Sequence, residues 1–231
     1  MMNKFDKLSV IMSVYNSEEN LSDSIESILN QTYKNFEFLI MDDGSSDNSS
    51  EILGEYAKKD NRVKIFKNSD NLGLTKSLNI LISSSKGEYL ARQDSDDISS
   101  KDRFEKQLNY LSLNNLDACT VRALGSTTKK LIPNVSYYFP LNLVIKFKNP
   151  FVHGSLLVRK NVMESLGGYD ENFYYSQDYK LMSDLLSRNF KVKIMPDILY
   201  FLNQENNIST NNKEEQKYYA DCVRKNKTPK T

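Results

Sequence analysis

Tyr89-Leu-Ala-Arg-Gln-Asp-Ser-Asp-Asp97 is the stretch on which the reading of this chain turns. It begins as a buried strand and ends in three carboxylates, Asp94, Asp96 and Asp97. Side chains alternate across an extended segment, so Asp94 and Asp96 point to the same side. Carboxylates held side by side repel unless a cation lies between them. A hard divalent ion, Mg²⁺ or Mn²⁺, prefers oxygen ligands and keeps positions open for phosphate oxygens. The alternative is a polar turn capping the next helix, since Asp and Ser are ordinary turn and N-cap residues.

The surrounding sequence favours the first reading. Residues 8–15, 36–41, 63–66 and 89–93 are short apolar runs that read as buried strands. Between them, Leu21, Ile25, Ile28 and Leu29 recur at helical spacing, as do Leu74, Leu78, Leu81 and Ile82. Ile52, Leu53 and Tyr56 mark a further helix. Strand and helix alternate, the pattern of an α/β domain with a mostly parallel sheet flanked by helices. Ligands of such sheets bind beyond the carboxyl ends of the strands. Polar clusters fall at those ends: Tyr15-Asn16, Asp42-Asp43, and Asp94 with Asp96 and Asp97.

Downstream the pattern loosens. Residues 104–114 read as a helix and 118–123 as a strand, whereas 125–150 hold Pro133, Pro140 and Pro150. Residues 152–158 suit a strand. Asn161 caps a short helix that stops at Gly167-Gly168. Gln177-Asp178 opens an amphipathic helix, and two short apolar runs flank Pro196. From Asn203 the chain turns polar, ending with Arg224, Lys225, Lys227 and Lys230. We expect two halves of one domain, over 1–100 and 101–205, and a polar basic tail over 206–231.

The 231 residues are 39% hydrophobic and 26% charged, enough for a core in a water-soluble domain. A net charge of +1 argues against a nucleic-acid partner, which calls for a basic excess. Cys119 and Cys222 lack metal-ligand spacing and suit a reducing compartment. His153 is the single histidine, which excludes histidine-built zinc sites. The first residues lead into a strand rather than a signal peptide, and no apolar run has the roughly 20 residues of a membrane span. The expected location is the cytoplasm, with membrane contact at most peripheral, at the inner face of the cell membrane.

These motifs together resemble the family 2 glycosyltransferases of GT-A fold, of the bacterial surface-polysaccharide type. The resemblance rests on Val10-Ile-Met-Ser-Val-Tyr-Asn16, Ser27-Ile-Leu-Asn-Gln-Thr-Tyr33 and Asp42-Asp-Gly-Ser-Ser-Asp47. It continues through Asn71-Leu-Gly73, the Gly87 to Asp97 stretch, Gly167-Gly-Tyr-Asp170 and Gln177-Asp178-Tyr179. In order, these cover about residues 8–210. The resemblance implies a Rossmann-like GT-A sheet with an acceptor-side lobe. It also implies inverting transfer of a hexose or N-acetylhexosamine from a UDP-sugar to a saccharide or lipid-linked glycan.

Residue roles follow from the same resemblance. Tyr15 packs against uracil, with Asn16 beside it, and Asp43 accepts a hydrogen bond from the base, which suits an imide N–H. Asp42, facing the other way, supports the turn. Gly73 belongs to the donor site. Asp94 and Asp96 match the D-x-D motif, Asp96 on the metal and Asp94 on the ribose or the metal shell. Arg92 and Lys76 either add positive charge near the diphosphate or are structural and solvated cations. Asp178 takes the place of the general base, although the usual Glu-Asp pair is here Gln177-Asp178. An ordinary first-turn Asp is the alternative, and Asp170 is the competing base. His153 lies near the acceptor or is a satisfied core residue. Two further departures are Ser13 in place of Pro, and Leu202 and Gln204 where relatives carry Arg-x-His.

Two other classes compete with this one. A sugar nucleotidyltransferase needs a Gly-rich phosphate loop after the first strand, where this chain has Ser-Val-Tyr-Asn-Ser-Glu. A non-catalytic nucleotide-sugar-binding relative would accommodate Gln177 and Gln204.

Overall fold

The apolar runs of the first half form the strands they predict. In a computed structural model that describes residues 7–204 and 212–230, β1 (Leu8–Val14) lies at the centre. It pairs in parallel with β2 (Phe36–Asp42) on one side and β4 (Tyr89–Arg92) on the other. β3 (Val63–Lys67) extends the sheet beyond β2, again in parallel. Three helices make the crossovers: α1 (Leu21–Leu29), α2 (Ser49–Lys59) and α3 (Leu74–Ser84). β1 and β2 are buried on both faces, so they read as unbroken apolar runs. Alternation splits their side chains between two cores. Val10, Met12 and Val14 join α1 and α2, whereas Ile11 joins α3. Full burial of each such side chain is worth about 1.5–3 kcal/mol.

The second half continues the same sheet with mixed pairing. It adds β5 (Ile98–Ser99), α4 (Arg103–Leu113), β6 (Ala118–Gly125), β7 (Leu131–Ile132), α5 (Leu141–Val144) and β8 (Leu157–Arg159). It ends with α6 (Lys160–Leu166), α7 (Gln177–Ser187), β9 (Val192–Leu202) and α8 (Lys213–Arg224). The strand order is β3-β2-β1-β4-β8-β6-β9-β5, with β7 on β6. β8 joins the halves by pairing antiparallel to β4 and to β6. The chain order reverses at β1 and β4, so a crevice opens at their carboxyl ends.

The second half departs from expectation in three places. Residues 152–158 are not one strand: a 3₁₀ turn, His153–Ser155, precedes β8. The two runs flanking Pro196 are one strand, β9, whose register against β6 shifts where Pro196 and Asp197 bulge out. A bulge tolerates the missing proline N–H, so the strand continues through it. The C-terminal stretch, expected as a polar tail, carries α8, which buries Cys222 and Val223 against the core around α7. The parts of that stretch at 206–211 and 231 lie outside the described residues. Gly167 ends α6 at φ +82°, as the Gly-Gly stop predicts, and Gly168 N–H bonds Met163 O at 2.9 Å.

Candidate functional site

The donor side is built from two loops tied together. After β1, Asn16 adopts φ +48° and its side-chain oxygen accepts the Ser46 N–H at 2.8 Å. Asn16 N–H in turn reaches Ser45 Oγ at 3.1 Å. Tyr15 beside it is 49% exposed, leaving a ring face open to a ligand. Asp42, at the end of β2, accepts the Ser45 N–H at 2.9 Å and the Ser50 hydroxyl. Burial alone would raise its pKa. The bonds from Ser50 and Ser45 and the charge of Lys67 outweigh this and hold the carboxyl below its usual range.

Asp43 points the other way and is 2% exposed. It accepts Asn68 Nδ2 at 2.7 Å and the Leu72 and Gly73 N–H groups at 2.9 Å each. It therefore organises loop 68–73, and one of about four lone-pair directions of a carboxylate remains for a ligand. Gly73 has φ +89°, and a Cβ there would lie 2.8 Å from the Tyr174 ring. Tyr174, 55% exposed, thus forms a second aromatic wall at this corner that sequence reading missed. Lys76 is exposed on the first turn of α3.

The acidic corner lies at the end of β4. Arg92 is 2% exposed and its guanidinium grips Asp94 Oδ1 at 2.5 Å and the Gln93 carbonyl. Asp94 N–H donates to Tyr200 Oη at 3.1 Å. Gly154 packs so closely on Asp94 and Tyr200 that no Cβ fits there. Asp97 is buried, its Oδ1 accepting the Asn203 N–H at 2.7 Å. Arg103, fully buried, bonds Gln93 Oε1 at 3.1 Å and Arg92 O at 2.8 Å. Burial, then the charge of Asp94, pushes Asp96 up to about 6. Burial, then Asp94 and Asp96, pushes Asp97 up to about 8. Desolvation lowers Arg103 to about 10.

Among the described residues, no group of three or more His, Cys, Asp or Glu side chains forms a metal cage. The donor set nevertheless suits Mg²⁺ or Mn²⁺ in the way these ions meet phosphates, through one or two carboxylates with the rest of the shell from ligand and water. Asp94 Oδ2 takes no bond from Arg92, and a cation would offset the burial and the Asp94 charge that disfavour ionised Asp96. The Gln204 side-chain oxygen is already engaged, accepting the Thr128 N–H at 2.9 Å and hydroxyl at 2.8 Å.

On the other side stands Asp178, in the first turn of α7 after half-buried Gln177. Asn149 Nδ2 donates to Asp178 Oδ2 at 2.7 Å. His153 Nε2 meets Tyr169 Oη at 2.7 Å. Burial, then the charge of Arg92, lowers His153 to about 4, while Asp178 and Asp94 pull the other way. Gly154, the neighbour of His153, packs on Asp94, and both Asp94 and Asp178 bear on the His153 imidazole. Asp170 sits in a turn, accepting Asn172 N–H at 3.0 Å, with Lys180 4.0 Å away. A groove of about 340 Å³ runs alongside, lined by Thr128, Lys130, Pro133, Lys148, Asn149 and Gln204. Asn149 thus connects the groove to Asp178. Asn149, Arg103 and Tyr200 carry no local motif and were not legible in the sequence.

The model of the family described as "Glycosyl transferase family 2" matches residues 9–167. The O-antigen biosynthesis glycosyltransferase WbnJ of Escherichia coli is 36% identical over 187 residues, covering 79% of this chain and 72% of WbnJ. Staphylococcus aureus TarS 1-349, solved in complex with UDP-GlcNAc, superposes with a TM-score of 0.76 at 20% identity, covering 89% of this chain and 61% of that one. The mannosyltransferase PcManGT of Pyrobaculum calidifontis, solved with GDP-Man and Mn²⁺, gives a TM-score of 0.76 at 16% identity, covering 97% of this chain and 66% of that one. Several matched relatives are longer, the chain spanning about 60% of their length.

Proposed function

Because the chain belongs to glycosyl transferase family 2 and is a transferase of GT-A fold, we propose that it moves a hexose or N-acetylhexosamine from a UDP-sugar to a hydroxyl of a saccharide or lipid-linked glycan, with inversion. The observation that carries this reading is that Asp94, against which Gly154 packs, and Asp178, bonded to Asn149, both lie near the half-buried His153 ring. A donor held at the D-x-D corner would present its anomeric carbon toward α7. The TarS structure with UDP-GlcNAc and the PcManGT structure with GDP-Man and Mn²⁺ support a nucleotide-sugar donor and a divalent ion.

In this reading Tyr15 stacks on the base and the remaining lone pair of Asp43 takes its imide N–H. Asp96 and Asp94 would hold a Mg²⁺ or Mn²⁺ ion, which would supply charge neutralisation for the diphosphate. Arg92 keeps Asp94 fixed. Asp178 accepts the acceptor hydroxyl proton as that oxygen bonds to the anomeric carbon. The carbon–phosphate oxygen bond breaks, and its electron pair leaves with UDP. Asn149 orients the carboxylate and, lining the groove, faces the acceptor. The test is UDP release from a panel of UDP-sugars with Mg²⁺ and with Mn²⁺. Turnover of no UDP-sugar, alongside turnover of a GDP-sugar, would overturn the donor assignment.

A further inference from the structure

The richest exposed apolar stretch among the described residues has no part in the chemistry above. Within residues 135–147, Val135 is 66% exposed, Tyr138 75%, Phe139 52%, Leu143 49% and Phe147 68%. The stretch is held in place from below. Ser136, Val144 and Ile145 are buried, Tyr179 Oη donates to Ile145 O at 2.5 Å, and the Arg122 guanidinium lies 4.7 Å from the Tyr137 ring. The exposed rings are therefore presented on a fixed backbone.

The charge around them is one-sided. Residues 118–163 contain no Asp or Glu, in a chain whose overall charge is nearly balanced, and Lys129, Lys130, Lys146 and Lys148 flank the apolar stretch. The end of α8 arrives at the same place: Arg224, itself paired with Asp221, donates to the Phe147 carbonyl at 3.3 Å. Lys225 and Lys227 follow it directly in the chain.

We infer that this face docks on an anionic lipid bilayer, with Tyr138, Phe139, Leu143 and Phe147 entering the headgroup boundary and the surrounding lysines meeting lipid phosphates. Aromatic and aliphatic side chains framed by lysine are the chemistry of interfacial binding. Two copies of the same face would bring lysines against lysines across a two-fold axis, which disfavours self-association there. No described helix is long and apolar enough to cross a membrane, so the contact is peripheral. Ser136 of this segment lines the groove, as do Pro133 and Asn134 just before it, so the groove adjoins the docked face. Only this last point rests on the proposed function; the docking does not.

Co-sedimentation with vesicles of phosphatidylcholine, alone and mixed with phosphatidylglycerol, tests the surface. The wild-type chain should bind the mixed vesicles at least tenfold more tightly. Tyr138→Ser with Phe147→Ser, and separately Lys129→Glu with Lys146→Glu, should each reduce that binding about tenfold or more. Leu113→Ser, an 86% exposed apolar residue on α4, should change nothing. Melting curves and UDP release in solution should match wild type, since these side chains face solvent. Equal binding to both vesicle types, or variants that sediment like wild type, would overturn the assignment. So would a dimer in sedimentation velocity that the Tyr138/Phe147 variant breaks, because the face would then be an interface between copies.

Discussion

Glu37 at one end of the parallel sheet and the Asp96–Asp97 pair beyond the other are treated in opposite ways. At the amino end, Glu37 of β2 accepts Ser9 Oγ at 2.8 Å, Lys64 Nζ at 2.6 Å and the Lys86 N–H at 2.7 Å, with Lys7 at 3.4 Å. Burial would raise its pKa, but these partners outweigh it and bring the carboxyl down to about 2. At the carboxyl end, Asp96 and Asp97 are pushed up to about 6 and about 8, because burial and their acidic neighbours work together. A carboxylate saturated by its own protein stabilises the fold. Carboxylates left in mutual repulsion mark a place where a ligand completes the structure.

The comparison sharpens first at Asp178, the carboxylate across the crevice. Asp178→Asn should lower kcat by 10²–10⁴-fold, about 3–5 kcal/mol at the transition state, with donor binding retained. Asp170→Asn, in its turn, should keep most of wild-type kcat. Steady-state kinetics with titration of UDP-sugar binding decide this, and the reverse pattern would move the base to Asp170.

Glu37 gives the next largest effect, and it is one of stability. Its folded pKa is depressed from 4.5 to about 2, so its contribution is complete above pH 4.5 and lost as pH falls toward 2. By linkage that contribution is about 3 kcal/mol. Glu37→Gln should lower unfolding free energy by that order at pH 7, and the gap from wild type should close by about pH 2. Denaturant melts across pH measure both, and a gap that persists at pH 2 would break the contrast between the two ends.

Gly154→Ala tests how the second half positions the acidic corner. A methyl group has no room between Asp94 and Tyr200, so overpacking should cost about 1–3 kcal/mol of stability and displace Asp94. Reduced kcat/KM with unchanged melting would show that the corner yields without the fold. The smallest effect concerns the metal. UDP affinity measured by calorimetry should fall at least tenfold in EDTA, about 1.4 kcal/mol, and Asp96→Ala should reproduce that loss. Asp97→Ala should instead destabilise the chain, since it leaves the Asn203 N–H without its acceptor.

The first half was legible because its signals are local. Apolar runs of strand length, helical spacing between them and polar clusters after each strand suffice to place β1, β2, β4 and the carboxylates. The second half depends on contacts distant in sequence. Arg103 reaches Gln93 and Arg92 from α4, which packs on β6 and β9, and Asn149 meets Asp178 across 29 residues. Pro196 made one strand look like two, since a missing N–H reads as a break until the bulge is seen. α8 escaped notice because its apolar positions, Tyr219, Cys222 and Val223, stand among charges.

The short strand β8 has a consequence for synthesis. One edge of β4 pairs with β1, and the other waits for Leu157, Val158 and Arg159, made some 65 residues after Arg92. At ribosomal speeds of about 5–20 residues per second, that edge stays uncovered on the nascent chain for roughly 3–13 s. An open edge strand is a template for pairing with another chain. Newly made molecules are thus most prone to stick to one another after the nucleotide half has emerged and before residue 157 has left the ribosome.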